Sequence, residues 1–315
     1  MKKIISFCLV LIFIVLLCGC DKKLQSGMTE TERESIKVGP LSLLDNDYPY
    51  QWEFNREDTE YIKDSVSEIS IYDEELKGTF IIHVTVPPNY DKEKTYPAFV
   101  MTDGVWRFGN HPALWKMMER GEVEDVLLVS IGYDFNIDGT DEYRSWILYE
   151  KQEEFLNFIT NNLMPYLSEN YSIDFSRSAI YGHSAGGAFT HYAVFNSDLY
   201  ENQPFHYYII GSPGLWSPYF LPFQKEPGEY KKEYGYFDRN KTLDKEIYIC
   251  AGELEDPDYE DWYGDNDTTL EGVKHLTERL DDYGYDKYVC ELYYSHHYQY
   301  IPEMFEKFFL RYYGV

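Results

Sequence analysis

The feature that most constrains the fold is the heptapeptide Tyr181-Gly182-His183-Ser184-Ala185-Gly186-Gly187. It follows a β-like Ala179-Ile180-Tyr181 and opens an Ala-rich run with helical character. Glycines on both sides of Ser184 permit the sharp strand-to-helix turn that lifts a serine hydroxyl above a sheet, with the dipole of the following helix aimed at it. A G-x-S-x-G without that context is weak evidence; here the strand, the turn and the helix coincide. Ser184 is therefore the candidate nucleophile, and a parallel α/β sheet is the scaffold that such a turn requires.

The rest of the chain agrees. Short apolar runs at Val66–Ile71, Thr79–Val86, Ala98–Thr102, Val126–Gly132, Ala179–Tyr181, Tyr207–Gly211, Ile247–Gly252 and Tyr288–Tyr294 read as strands. Helical spacing predicts helices over Glu153–Asn170, Ala185–Asn196, Thr268–Tyr283 and Pro302–Tyr313. This alternation predicts a mostly parallel central sheet with helices on both faces. No composition break divides the body, so residues 51–315 read as one catalytic domain.

Charge excludes one class of partner. The 28 Lys plus Arg against 55 Asp plus Glu give a net −27, whereas a nucleic-acid binder needs a basic face. The N-terminus reads as an export signal: Lys2 and Lys3, an apolar Ile4–Leu17, then Leu17-Cys18-Gly19-Cys20. The last four residues have the form of a lipobox, which predicts acylation at Cys20 and a lipid anchor holding the protein on the extracytoplasmic face of the cell membrane. Removing residues 1–20 takes away two lysines and no acid, leaving 26 basic and 55 acidic residues, a net −29. Such a chain has no electrostatic attraction to anionic lipid, so the anchor must be the acyl chains. The polar stretch 21–50 reads as a flexible tether. Cys250 and Cys290, the two cysteines beyond the signal, read as buried free thiols in strands.

A serine nucleophile needs a base, and the base needs a carboxylate. On this scaffold the order is Ser, acid, His, which leaves His275, His296 and His297. His275 lies mid-helix; His296 and His297 follow the last strand, where the base belongs. Carboxylates crowd the turn after Ile247–Gly252, at Glu253, Glu255, Asp256 and Asp258. Alternation along the strand end and the three-residue spacing from Gly252 favour Glu255, and Pro257 biases Asp256 outward.

Several segments together resemble the esterase D and enterochelin esterase-like branch of the α/β-hydrolases, over nearly the whole chain from Val66. They are Val84-Thr85-Val86-Pro87-Pro88-Asn89-Tyr90-Asp91 with Tyr96-Pro97, Thr102-Asp103-Gly104, Ser130-Ile131-Gly132-Tyr133, Gly211-Ser212-Pro213-Gly214-Leu215-Trp216, Gly252-Glu253-Leu254-Glu255, and His297 with Pro302. In the last, Gln299 stands where that family usually has Ser. The resemblance implies an α/β-hydrolase fold, a Ser184, His297 and Glu255 triad, and an oxyanion hole from the backbone N–H of Ala185 and of Gly104 or Val105. It places Trp106, Tyr133 and Trp216 along the cleft. It calls for no metal or organic cofactor. It implies a carboxylic ester as substrate, either a small molecule or polysaccharide-linked, with a siderophore trilactone as one alternative. A catalytically silent, ligand-binding lipoprotein on the same fold is the rival from outside the enzymes. Asp134-Phe135-Asn136-Ile137-Asp138-Gly139 copies half of a calcium loop, but Ser145 occupies the position of the bidentate Glu, so it reads as a solvated turn. The acidic run Asp256–Asp267 reads as a surface loop.

Overall fold

Nine strands among the described residues form one sheet. The computed structural model describes residues 24–42, 55–133, 140–216 and 232–315. The strands are β1 (Lys37–Pro40), β2 (Val66–Asp73), β3 (Gly78–Thr85), β4 (Ala98–Met101), β5 (Leu127–Tyr133), β6 (Ala179–His183), β7 (Tyr207–Gly211), β8 (Glu246–Gly252) and β9 (Tyr288–Tyr293). Their order is β1-β2-β3-β5-β4-β6-β7-β8-β9. The first three pairings are antiparallel and all those from β5 to β9 are parallel. The mostly parallel α/β-hydrolase architecture expected from the sequence is present.

Strands buried on both faces read as continuous apolar runs because crossover helices cover each side. Every residue of β4, β5 and β6 is buried. On one face Phe80 stacks on Phe158 with ring centroids 4.3 Å apart, and Phe155 and Phe189 join them. On the other, Phe99 meets Phe305, Phe308 and Phe309 of the terminal helix Ile301–Tyr312. These two aromatic layers fix the sheet that carries the site. Ligand sites on such sheets lie at the carboxyl ends of the parallel strands.

Two expectations need correction. Residues 24–42, read as part of a tether, are docked on the body. Thr29 and Glu32 form a reciprocal capping box at the helix Glu30–Ser35, and β1 pairs antiparallel with β2. Buried Glu32 also accepts the Glu74 N–H at 3.1 Å, and Gln25 N–H donates to Asn202 at 3.0 Å. Backbone pairing and capping need no apolar pattern, which is why the segment looks like a linker. Cys290 is exposed rather than buried, because β9 is the edge strand and its outward positions have no cover; Cys250 is buried as expected. The signal with Cys20 and the loop Asp134–Gly139 lie outside the described residues.

Candidate active site

Ser184 follows β6 and stands at the N-cap position of the helix Ala185–Asn196, at φ 59° and ψ −116°. A non-glycine residue there is strained, and the surroundings hold it in place. Its N–H donates to the Gly211 carbonyl at 2.9 Å, and its carbonyl accepts from Ala188 at 3.0 Å and Gly214 at 2.9 Å. The flanking glycines are required by close approach: a Cβ on Gly182 would enter the Gly186 carbonyl, and one on Gly186 would lie 2.6 Å from Thr102 Oγ1.

His297 lies in the loop between β9 and the terminal helix. Its Nδ1 is 2.7 Å from Glu255 Oε2, with both side chains buried. Its Nε2 is buried with no hydrogen-bond partner among the described residues. The neighbouring His183 reaches back to this loop, its Nε2 2.8 Å from the His297 carbonyl oxygen and its ring centroid 4.5 Å from that of His297. Burial first, then the His297 and Arg107 charges, hold His183 well below the ordinary histidine range, so it stays neutral. It ties the histidine loop to the end of β6, next in sequence to Ser184.

The sequence crowds four carboxylates on one turn and favours Glu255 among them, and the geometry separates them. Glu255 is fully buried against His297, while Glu253 points to solvent. Asp256 accepts from Tyr263 OH and from Leu270 N–H. Asp258 pairs with exposed His296, its Oδ2 2.9 Å from Nδ1. Each histidine of the adjacent pair thus has its own carboxylate.

The turn Gly104–Arg107 follows β4 and approaches β5 so closely that a Cβ on Gly104 would sit 2.7 Å from the Gly132 nitrogen. Trp106 and Arg107 N–H groups bond back to the Asp103 carbonyl at 2.9 and 3.0 Å. Gly104 and Val105 carry the first N–H groups of the turn, and Ala185 the first of the helix that follows Ser184; helix geometry leaves such groups without intrahelical acceptors. They are the candidate oxyanion donors.

The expected cleft aromatics divide. Trp106 is half-buried, with the Arg144 guanidinium 5.2 Å over its ring. Trp216 is nearly buried, its Nε1 donating to Thr269 Oγ1 at 3.0 Å. Tyr133, expected to line the cleft, is instead core: it is 1% exposed and packs on Phe80, because it ends a strand covered on both faces. The aromatic wall at His297 comes from residues that sequence reasoning did not select. Tyr298 and Tyr259 lie with ring centroids 4.6 and 4.7 Å from the imidazole. Ser212 was also missed as a functional residue. At φ 36° it donates to Glu255 Oε2 at 2.7 Å, and its Oγ is 2.7 Å from Tyr300 OH. Only its place in the Gly211–Trp216 segment hinted at this.

Among curated proteins, a ferri-bacillibactin esterase BesA of Bacillus subtilis is 27% identical over 203 residues, covering 56% of this chain and 66% of that protein. A siderophore triacetylfusarinine C esterase of Aspergillus fumigatus is 35% identical over 69 residues, 22% of each chain. The chain thus spans just under two thirds of the first relative's length and about a fifth of the second's. Among solved structures, the BES protein from Bacillus cereus superposes with a TM-score of 0.61 at 20% identity, covering 80% of this chain and 95% of that one; this supports the fold. With residues 74–310 matching the family model described as "Putative esterase", and with the sheet and the Ser184 turn in place, the chain belongs to that esterase family.

Proposed function

We propose that the protein is a serine carboxylic-ester hydrolase acting through an acyl-enzyme. The observation that carries this reading is the buried 2.7 Å pair between Glu255 and His297, with Nε2 without a partner among the described residues and the His297 ring 4.5 Å from that of His183, the residue before a strained Ser184. Ser184 Oγ gives its proton to His297 Nε2 and attacks the ester carbonyl. The oxyanion is received by the N–H of Ala185 and of Gly104 or Val105. The imidazolium, held by Glu255, protonates the departing alcohol; water then enters and the same base drives deacylation. Buried Glu255 and His297 weigh against a silent binding protein, in which nothing would demand this hydrogen-bonded pair.

For the substrate we infer a small-molecule ester of siderophore type. The names of the two curated relatives support it, as does the aromatic wall of Tyr259 and Tyr298. The lipid anchor at Cys20 remains part of the proposal. Because Gln25 is pinned to Asn202, only residues 21–24 would separate the lipidated cysteine from the body, a reach of about 17 Å or less.

The test uses the purified chain with p-nitrophenyl acetate, a siderophore lactone and a feruloylated sugar. Wild-type protein is expected to turn over the lactone in preference to the sugar ester and to label with a fluorophosphonate. Ser184→Ala should abolish turnover and labelling with folding intact. Labelling of that variant at the wild-type rate would transfer the nucleophile's role elsewhere.

A further inference from the structure

The turn that carries the candidate oxyanion donors begins at Asp103, a non-glycine residue at φ 57° and ψ 46°. Left-handed backbone is costly for a residue with a Cβ, so something must hold it. The Asp103 carboxylate is the visible restraint. Its Oδ1 accepts from Arg144 Nε at 2.6 Å and its Oδ2 from Nη2 at 2.7 Å, with the Asp103 side chain 3% and the Arg144 side chain 17% exposed. This is a two-pronged, charge-assisted pair of fixed geometry. Arg144 comes from the segment after β5, 41 residues away in sequence, and its guanidinium also covers Trp106 of the same turn.

The carboxylate occupies a second contact. A Cβ built on Gly186 would lie 3.2 Å from Asp103 Oδ2. Asp103 is therefore wedged between the turn bearing Gly104 and Val105 and the first turn of the nucleophile helix. It spaces the two sets of N–H donors that must converge on one oxygen. A displacement of about 1 Å at such a site costs roughly 10²-fold in rate.

We propose that Asp103 and Arg144 are a positioning pair that sets the oxyanion hole, and that Arg144 acts through Asp103 and not on the substrate. The inference rests on the serine-esterase reading above. Two Arg144 donors are consumed by the carboxylate, which leaves the guanidinium committed to the turn.

The experiment compares Asp103→Asn, Arg144→Lys, Arg144→Gln and the double variant Asp103→Asn/Arg144→Gln. The double variant removes both buried charges together, so the fold is kept even where a single change leaves one charge unpaired. With neutral p-nitrophenyl acetate, kcat is expected to fall about 10²- to 10³-fold, the range for loss of an oxyanion donor. KM should stay within about threefold, and fluorophosphonate labelling should slow in step with kcat. The double variant should be no worse than either single one, because the residues act as a unit. Unchanged kcat in the folded double variant would overturn the proposal. So would a loss confined to KM for anionic esters, which would make Arg144 a substrate contact. If wild-type protein fails to label at all, the esterase reading fails first; if wild type labels and the double variant labels as fast, this proposal alone fails.

Discussion

Replacing Glu255 by Gln isolates the charge of the candidate acid. His297 Nδ1 and Ser212 Oγ both donate to the same carboxylate oxygen at 2.7 Å. A glutamine can place its carbonyl oxygen there, preserving both hydrogen bonds and the imidazole tautomer while removing one negative charge. What remains to be lost is attraction to the imidazolium formed in the transition state. With charge centres about 4 Å apart and an effective dielectric near 20, that attraction is roughly 4 kcal/mol, or about 10³ in rate. The Ser212 hydroxyl already draws on the same oxygen, so 10²- to 10³-fold is the expected fall in kcat for p-nitrophenyl acetate, with little change in KM. Urea denaturation should show the variant folded. Glu253→Gln, Asp256→Asn and Asp258→Asn, whose side chains have other partners or face solvent, should stay near wild type. The reasoning is refuted if Glu255→Gln keeps more than a tenth of wild-type kcat, or if one of the other three falls as far.

Gly182→Ala should lose activity and soluble yield together, since the added methyl meets the Gly186 carbonyl and Thr190 Oγ1; full activity in that variant would mean that the turn has room. Burial, then the His83 charge, pushes buried His111 well below the usual histidine range, and His183 is held neutral in the same way. The unfolded chain takes up protons below about pH 6.5 that these folded groups refuse, so stability is complete above that pH and falls below it, by up to about 1.4 kcal/mol per pH unit for each group. Urea midpoints from pH 7.5 to 5 should show this slope, and His111→Gln should flatten it; an unaltered slope would exclude His111 as a contributor. A chain starting at residue 43 should be destabilised by about 2 kcal/mol, from loss of buried Leu41 and the β1 pairing; an unchanged urea midpoint would return residues 24–42 to the role of tether.

What the sequence disclosed follows a physical division. The strands and the Ser184 turn were legible because both depend on patterns within a few residues: apolar runs buried on two faces, and glycines where backbone approaches backbone. The burial of Glu255 was legible from its three-residue spacing after Gly252, because the turn there, with the Glu255 N–H on the Gly252 carbonyl at 3.3 Å, buries Glu255 and leaves Glu253 exposed. β1 was not, because Lys37-Val38-Gly39-Pro40 is largely exposed and is held by backbone bonds to β2. Tyr133 has the same residue type whether it lines a cleft or fills a core, and only the cover on its strand decides. Ser212 and Arg144 act on partners 43 and 41 residues away, a distance across which local patterns say nothing.

Three of the six non-glycine residues with positive φ among the described residues stand at the candidate site. Asp103, Ser184 and Ser212 all have positive φ without being glycine, and they follow β4, β6 and β7, which are neighbours in the sheet. Each bend is fixed by one more rung of the parallel ladder. Thr102 N–H donates to Tyr181, Ser184 N–H to Gly211 and Ser212 N–H to Cys250, at 3.0, 2.9 and 2.7 Å. The sheet thus extends one bond past the regular strands before the chain turns, and that bond opposes a cost of about 1–3 kcal/mol at each bend. Glycine at any of the three would relieve strain but remove the carboxylate paired with Arg144, the hydroxyl of the candidate nucleophile, or the hydroxyl that donates to Glu255. Side chain and backbone conformation are therefore demanded together at three adjacent strand ends. Such a site is organised during folding, before an ester arrives, so that little reorganisation remains to be done in the transition state.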